Sequence, residues 1–316
     1  MEKKISRRQM LAGSGAALIG LSSLKGFAAK TTSDAESGAT GNGKPYRLAL
    51  NVATISYYKL PIEKQIDLCA ETNYDGIELW MRDIEAYIAK GGKLGDLKKR
   101  LDDNGLVYEN TIGFAEWMVN EKGMDQMKRE MEITAQLGAR CIAATAFGMK
   151  KINRQHIPVY AEKYARILGF GEQTGVRPLM ETWGAAALNQ LSDAVSIAIG
   201  SKHPDAGLLL DFYHLFRGGN SYDSLKLIHG SALPLFHLND FPANPPREQL
   251  TDADRVYPGD GICPFSKVLP MLKANGFNGA FSLEIFNETY WKNPDPKVVL
   301  KDGYAKSKAI LEQYFV

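Results

Sequence analysis

The chain has 316 residues, a formal net charge of +2 at pH 7, and 45% hydrophobic against 23% charged residues. That length suits one large domain, and a (β/α)8 barrel of about 250 residues would nearly use it up. With charge this close to neutral and no lysine/arginine stripe interleaved with aromatics, electrostatics argues against nucleic acid as a partner. The three cysteines, Cys69, Cys141 and Cys263, are odd in number and widely separated, so buried free thiols are expected rather than disulfides or a thiolate metal site.

At the N-terminus, Arg7 and Arg8 precede a weakly apolar run of glycine, alanine and serine from Ala12 to Leu24, and the small residues Gly26 and Ala28 suit a cleavage after Ala28. The run is too short to cross a bilayer, which takes about 20 residues, so residues 1–28 are expected to be a signal peptide. The core Ser6-Arg7-Arg8-Gln9-Met10-Leu11 resembles a twin-arginine export signal. That resemblance implies an exported, periplasmic protein that meets the membrane only during export, and passage in the folded state with its cofactor already loaded. Residues 29–45 are expected to be a flexible linker with too little apolar surface to pack.

From Tyr46 onward, short apolar runs alternate with amphipathic segments. Strands are predicted at 46–52, 74–80, 106–112, 139–147, 176–181, 206–211, 233–238 and 280–285. Helices are predicted from Pro61, whose ring suits a first turn, and at 93–103, 124–137, 159–174, 191–201, 222–229, 265–274 and 297–314. Glycines at 105, 138, 175 and 276 stop four of these helices. Alternation of this kind implies βαβ units and a parallel sheet, and unbroken runs such as Leu208-Leu209-Leu210 suit strands buried on both faces. The predicted fold is α/β, a single-domain (β/α)8 TIM barrel over 46–316. A doubly wound open sheet is the lesser alternative, because the loop after Asn51 lacks the glycine-rich phosphate turn such sheets carry there.

Four apolar segments end in metal-type side chains. Pro178-Leu-Met closes on Glu181, and Leu208-Leu-Leu on Asp211 with His214 three residues further. Leu235-Phe closes on His237 with Asp240 after it, and Phe281-Ser-Leu on Glu284. If consecutive parallel strands close into a barrel, these side chains converge on the C-terminal rim, where such barrels place their chemistry. Any one of them alone reads as a solvated rim residue; together, Glu181, Asp211, His237 and Glu284 predict one divalent-metal site. Three carboxylates and an imidazole favour Mn, Mg or Co, with Zn possible.

This pattern resembles the xylose-isomerase-like TIM barrels, a family of sugar isomerases and epimerases whose relatives include ketose 3-epimerases, hydroxypyruvate isomerase, inosose dehydratase and zinc AP endonucleases. The resemblance covers about Tyr46 to the C-terminus and implies that Glu181, Asp211, His237 and Glu284 hold the metal. It also implies that His214 binds substrate, as does Arg255 in Arg255-Val-Tyr-Pro-Gly-Asp-Gly261, and Gly76-Ile-Glu78-Leu matches a common element of the second strand. The loop 239–254 is longer than that of the hydroxypyruvate-isomerase branch, which leaves the placement of Arg255 open and makes Asp240 either a ligand or a partner of the ligands. Arg217 and Arg247 are rival binders of hydroxyl or anionic groups. Trp80, Trp117, Phe147, Trp183 and Phe286 follow strand ends and could stack on a sugar face, Trp117 and Trp183 in particular with Glu78 as a further substrate contact.

The chemistry implied is proton removal alpha to a carbonyl through a metal-stabilised enediolate, with Glu181 and Glu284 as the acid/base pair. The expected substrate is a small sugar or keto-sugar, and a homo-oligomer is left open. A lyase or hydrolase acting on an oxidised sugar or cyclitol is the first alternative, since the same intermediate can expel a neighbouring leaving group. A non-catalytic exported sugar-binding barrel is the second. The endonuclease branch uses more histidines and a basic groove, neither of which this chain offers.

Overall fold

Eight short parallel strands pair in sequence order and close on themselves. They are β1 (Arg47–Asn51), β2 (Gly76–Trp80), β3 (Val107–Ile112), β4 (Cys141–Ala144), β5 (Arg177–Glu181), β6 (Leu208–Asp211), β7 (Leu235–Leu238) and β8 (Ala280–Leu283). The computed structural model describes residues 45–316. The expected export signal at 1–28 and all but the last residue of the expected linker at 29–45 lie outside the described residues. Closure is made by β1 against β8, with Leu48 opposite Phe281 and Leu50 opposite Leu283. The strands are buried almost throughout, as parallel strands under a helical layer must be.

Nine α-helices surround the barrel among the described residues: α1 (Ile62–Glu71), α2 (Met81–Ala89), α3 (Leu94–Asp103), α4 (Glu121–Leu137), α5 (Ile157–Thr174), α6 (Leu191–Gly200), α7 (Phe212–Arg217), α8 (Phe265–Ala274) and α9 (Pro296–Tyr314). Local chemistry sets their ends. Asn120 caps α4 by accepting the Gly123 N–H at 2.8 Å. Gly138 and Gly175 end α4 and α5 at φ +93° and +75°, a conformation an L side chain resists.

Two of these helices, α2 and α7, are not among the expected ones, and one expected helix does not form. The segment 222–229 forms a 3-10 turn, Tyr222–Leu227, with only Leu225 buried. Leu227 is 92% exposed, so the apolar residues there do not form a packed stripe. Helix α2 follows β2 without a loop and buries only Met81 and Ile84, a stripe too thin for periodicity to register. Helix α7 is nucleated by Asp211, whose Oδ1 accepts the His214 N–H at 2.7 Å. None of the described helices is long and apolar enough to cross a membrane. Cys69 and Cys141 are buried and Cys263 is half-buried, all three free thiols as expected.

One buried acid of the helical layer gives a stability prediction. Glu130 on α4 is 2% exposed, accepts one bond from Gln126 Nε2 at 2.7 Å, and has a second oxygen with no partner among the described residues. Burial raises its pKa from 4.5 to about 7, against the Gln126 bond. Below about pH 4.5 both folded and unfolded chains are protonated there, and the group costs nothing. Between that pH and about 7 the unfolded chain ionises first, so stability falls as pH rises, and above 7 the loss is constant at about 3 kcal/mol. Glu130→Gln lacks this titration. Urea melts at pH 4.5 and 8 should show the variant gaining roughly that amount on wild type between the two; a gap independent of pH contradicts the assignment.

Candidate active site at the C-terminal rim

The barrel brings the ends of β5 to β8 together around His237. Its ring is fully buried, and Nε2 lies 3.2 Å from Glu78 Oε2, an acceptor that fixes the proton on that nitrogen. Nδ1 then faces three carboxylates, at 3.2 Å from Glu284 Oε2, 3.7 Å from Asp211 Oδ2 and 3.8 Å from Glu181 Oε1. None of these contacts has hydrogen-bond geometry, so Nδ1 is a buried polar atom without a partner. A ring nitrogen and carboxylate oxygens converging in this way, unbonded to one another, are a ligand set for a cation. Donor atoms of Asp211, His237 and Glu284 all lie within 4.8 Å of one another, and Glu181 stands at the edge of that group. Burial disfavours a charge on His237, but Glu284 and Glu78 on either side outweigh it and raise its pKa. An incoming cation would therefore displace a proton from Nδ1.

Three of the carboxylates, Asp211, Glu284 and Glu78, are positioned by asparagines in or just after strands of the barrel. Asp211 Oδ2 accepts from Asn239 Nδ2 at 2.8 Å and from Arg255 Nη1 at 3.2 Å. Glu284 Oε1 accepts from Asn51 Nδ2 at 3.0 Å and Oε2 from Arg255 Nη1 at 2.6 Å. Asn110 donates to Glu78 Oε2 at 2.8 Å.

The two glutamates differ sharply. Burial would raise Glu284, yet His237 and Arg255 hold its carboxyl well below the usual range, so it is ionised. Glu181 has no arginine beside it: burial pushes it up to about 8, His237 opposing and Glu284 assisting, and its Oε2 has no hydrogen bond. His214 also faces the site. Its Nε2 is 3.0 Å from Arg255 Nη2 and its Nδ1 is 3.2 Å from the Gly184 N–H. Burial lowers its pKa and favours the neutral ring, which can accept at only one of these two nitrogens.

The long loop 239–254 does deliver Arg255 to the site. Asp240 and Val256 exchange a pair of backbone hydrogen bonds at 2.9 Å that closes the loop at its base. Arg217 Nε donates to Leu250 O at 2.8 Å and ties the loop to α7. The Arg255 guanidinium, 1% exposed, sits between the rings of Tyr213 and Phe286, 4.7 and 5.1 Å away.

A cavity of about 300 Å³ opens above these groups, lined on one side by Glu181, His214, Asp252, Arg255 and Glu284, and on the other by Trp80, Ile112, Phe114, Trp183 and Phe286. His214, Arg255 and Trp183 therefore lie where a substrate contact is expected to lie. Three other expected substrate contacts do not. Glu78 is fully buried beneath His237 and orients that ring. Trp117 has no exposed surface and packs on Tyr164 of α5, 5.9 Å between centroids, because the turn after β3 tucks it under the helical layer. Asp240 spends both oxygens on backbone N–H groups, Oδ1 on Phe241 and Cys263 and Oδ2 on Gly259 and Gly261, at 2.8–3.0 Å. It fastens the turn that follows Arg255, where a Cβ at Gly261 would collide with the Phe241 carbonyl. Nor does either rival arginine line the cavity: Arg217 holds the loop, and Arg247 pairs with Glu248 at 2.5 Å on the surface. Phe147 is 43% exposed and touches Phe114 from outside.

The closed parallel barrel with a ligand set on its rim defines a class, and the sequence profile of the xylose-isomerase-like TIM barrel family matches residues 66–310. The chain belongs to that family. It is 28% identical over 289 residues to an inosose isomerase of Bacillus velezensis, covering 85% of this chain and 99% of the relative. A 3-dehydroshikimate dehydratase of Pseudomonas putida is 22% identical over 260 residues, 77% of this chain and 39% of that enzyme. Among solved structures, the fold is similar to the IOLI protein crystallised with a bound zinc atom, at TM-score 0.79 and 24% identity over 85% of this chain and 99% of that one.

Proposed function

We propose that this protein is a divalent-metal-dependent sugar isomerase or epimerase that moves a proton on the carbon beside a carbonyl. The observation that carries this reading is the unpartnered, fully buried Nδ1 of His237 among the oxygens of Asp211, Glu284 and Glu181. Asp211, His237 and Glu284 would hold the ion, with Glu181 completing the set; the hard donors suit Mn, Mg or Co, and the zinc atom of the similar IOLI protein keeps Zn in the range. A divalent ion here supplies Lewis-acid stabilisation of the negative charge that develops on the substrate oxygen.

The chain's own groups do the rest. Glu181, with one oxygen free of hydrogen bonds and a raised pKa, takes the proton from carbon. Glu181, now carrying that proton, returns it to the substrate, while Glu284, anchored by Asn51 and Arg255, faces it across the ligand set as an ionised carboxylate. Arg255 holds Asp211 and Glu284 in place beside the substrate and His214 lines the cavity next to it, while Trp80, Phe114, Trp183 and Phe286 exclude water and wall the ring. The inosose isomerase relatives support a keto-cyclitol or keto-sugar substrate.

The test is incubation of ion-loaded protein with an inosose and with common ketohexoses, followed by proton NMR. A new stereoisomer or positional isomer of the ketone is expected. The dehydratase relative favours a second reading, elimination of water from the same intermediate. An unsaturated product absorbing in the ultraviolet would establish that reading instead, and no product from any ketone would leave a binding protein.

A further inference from the structure

The charged lining of the cavity is one-sided. Glu181, Glu284 and Asp252 face it with a single cation, Arg255, and that cation is already committed. Its Nη1 serves Glu284 Oε2 at 2.6 Å and Asp211 Oδ2 at 3.2 Å, and its Nη2 serves Asp252 Oδ1 at 2.6 Å, with His214 Nε2 3.0 Å away. The remaining Nε–H is buried and bonded to nothing, between aromatic rings. Both terminal nitrogens of Arg255 are thus spent on carboxylates of the protein, and the enclosed Nε–H alone cannot offer the paired donors on which recognition of a phosphate or carboxylate relies. A divalent ion would not reverse the balance: with Arg255 it brings three positive charges against the carboxylates of Glu78, Glu181, Asp211, Glu284 and Asp252.

Asp252 differs from the other acids. The long loop carries it in on a 3-10 turn whose capping box, Thr251 with Asp254, fixes its position. Its side chain is 55% exposed, so it confronts whatever enters the mouth while its Oδ1 holds Arg255. The facing wall of Trp80, Ile112, Phe114, Trp183 and Phe286 offers only carbon faces, and 300 Å³ admits one monosaccharide-sized ring.

We infer that the site takes an uncharged keto ring lying with its C–H face on the aromatic wall, and that Asp252 is its specificity-determining residue, saturating Arg255 and turning away phosphorylated or carboxylated analogues. This rests on the sugar isomerase reading and narrows it to neutral substrates. Asp252 also acts as a positioning residue for Arg255, which it grips at the end opposite Glu284.

The experiment titrates the ion-loaded full chain with an inosose and with the monophosphate ester of the same inosose, following the fluorescence of Trp80 and Trp183, which line the cavity. The neutral ring should bind saturably and the ester at least about tenfold more weakly, since two like charges ~6 Å apart repel by several RT even at an effective dielectric of ~20. Asp252→Asn should narrow that gap roughly tenfold, Asp252→Lys should reverse it, and Asp252→Glu should restore it. With Arg255 released, Asp252→Asn should also raise KM for the neutral ring more than it lowers kcat. An ester bound as tightly as the neutral ring by wild type, or a gap unchanged in the Asn and Lys variants, overturns the inference and leaves the isomerase reading intact. Binding of neither compound overturns the substrate reading beneath it.

Discussion

Replacing Glu181 by glutamine is expected to lower turnover about 10²–10⁴-fold, the range for loss of a positioned general base, while the protein keeps its ion. The amide preserves shape and one coordinating oxygen but cannot accept a proton from carbon. Glu181 is the right glutamate for this role because no arginine clamps it: burial, only partly opposed by His237, pushes its pKa up to about 8, and one oxygen is unbonded. Glu284 is instead clamped by Asn51 and Arg255 and stays ionised, as suits a ligand. Glu284→Gln should accordingly cost metal as well as rate. Steady-state kinetics paired with elemental analysis separates the two; equal metal loss in both variants contradicts the division of labour.

The second large effect is expected at His237 and Asp211. Substituting alanine at either position should abolish tight ion binding, because each contributes a donor to a group confined within 4.8 Å. Free ion at a hundred times its Kd should stabilise wild type by about 2.7 kcal/mol and either variant by nothing measurable. The readout is the shift in Tm on adding ion, compared within each protein. That choice matters, since His237→Ala also strands the buried carboxylate of Glu78 and lowers Tm for an unrelated reason. A variant that still gains stability from added ion contradicts the ligand assignment.

The strands were legible because both of their signals are local: an unbroken apolar run, and a polar residue where the run meets the rim. Leu208-Leu209-Leu210 followed by Asp211 carries both. The same rule applied to asparagine would have found Asn51 and Asn239, which end β1 and follow β7 and position the carboxylates, but not Asn110, which lies inside β3. They escaped notice because amides are read as turn formers. What could not be read was direction. Glu78 and Glu181 both sit at or near strand ends, but only the register of the closed barrel sends one beneath His237 and the other into the cavity. Trp117 and Phe114 lie three residues apart after β3, and the turn decides that Phe114 lines the cavity while Trp117 joins the helical layer. Asp252 became visible only once the loop was seen to fold back, through the Asp240–Val256 bridge, over the mouth.

The most direct test of proton transfer on carbon is solvent exchange. Ion-loaded wild type incubated with its ketone in deuterated water should incorporate deuterium at the carbon beside the carbonyl, read by proton NMR or mass spectrometry. Glu181→Gln with its ion retained should abolish that incorporation. Exchange that continues unchanged in Glu181→Gln and in Glu284→Gln would mean that these glutamates only hold the ion, and the mechanism would be contradicted.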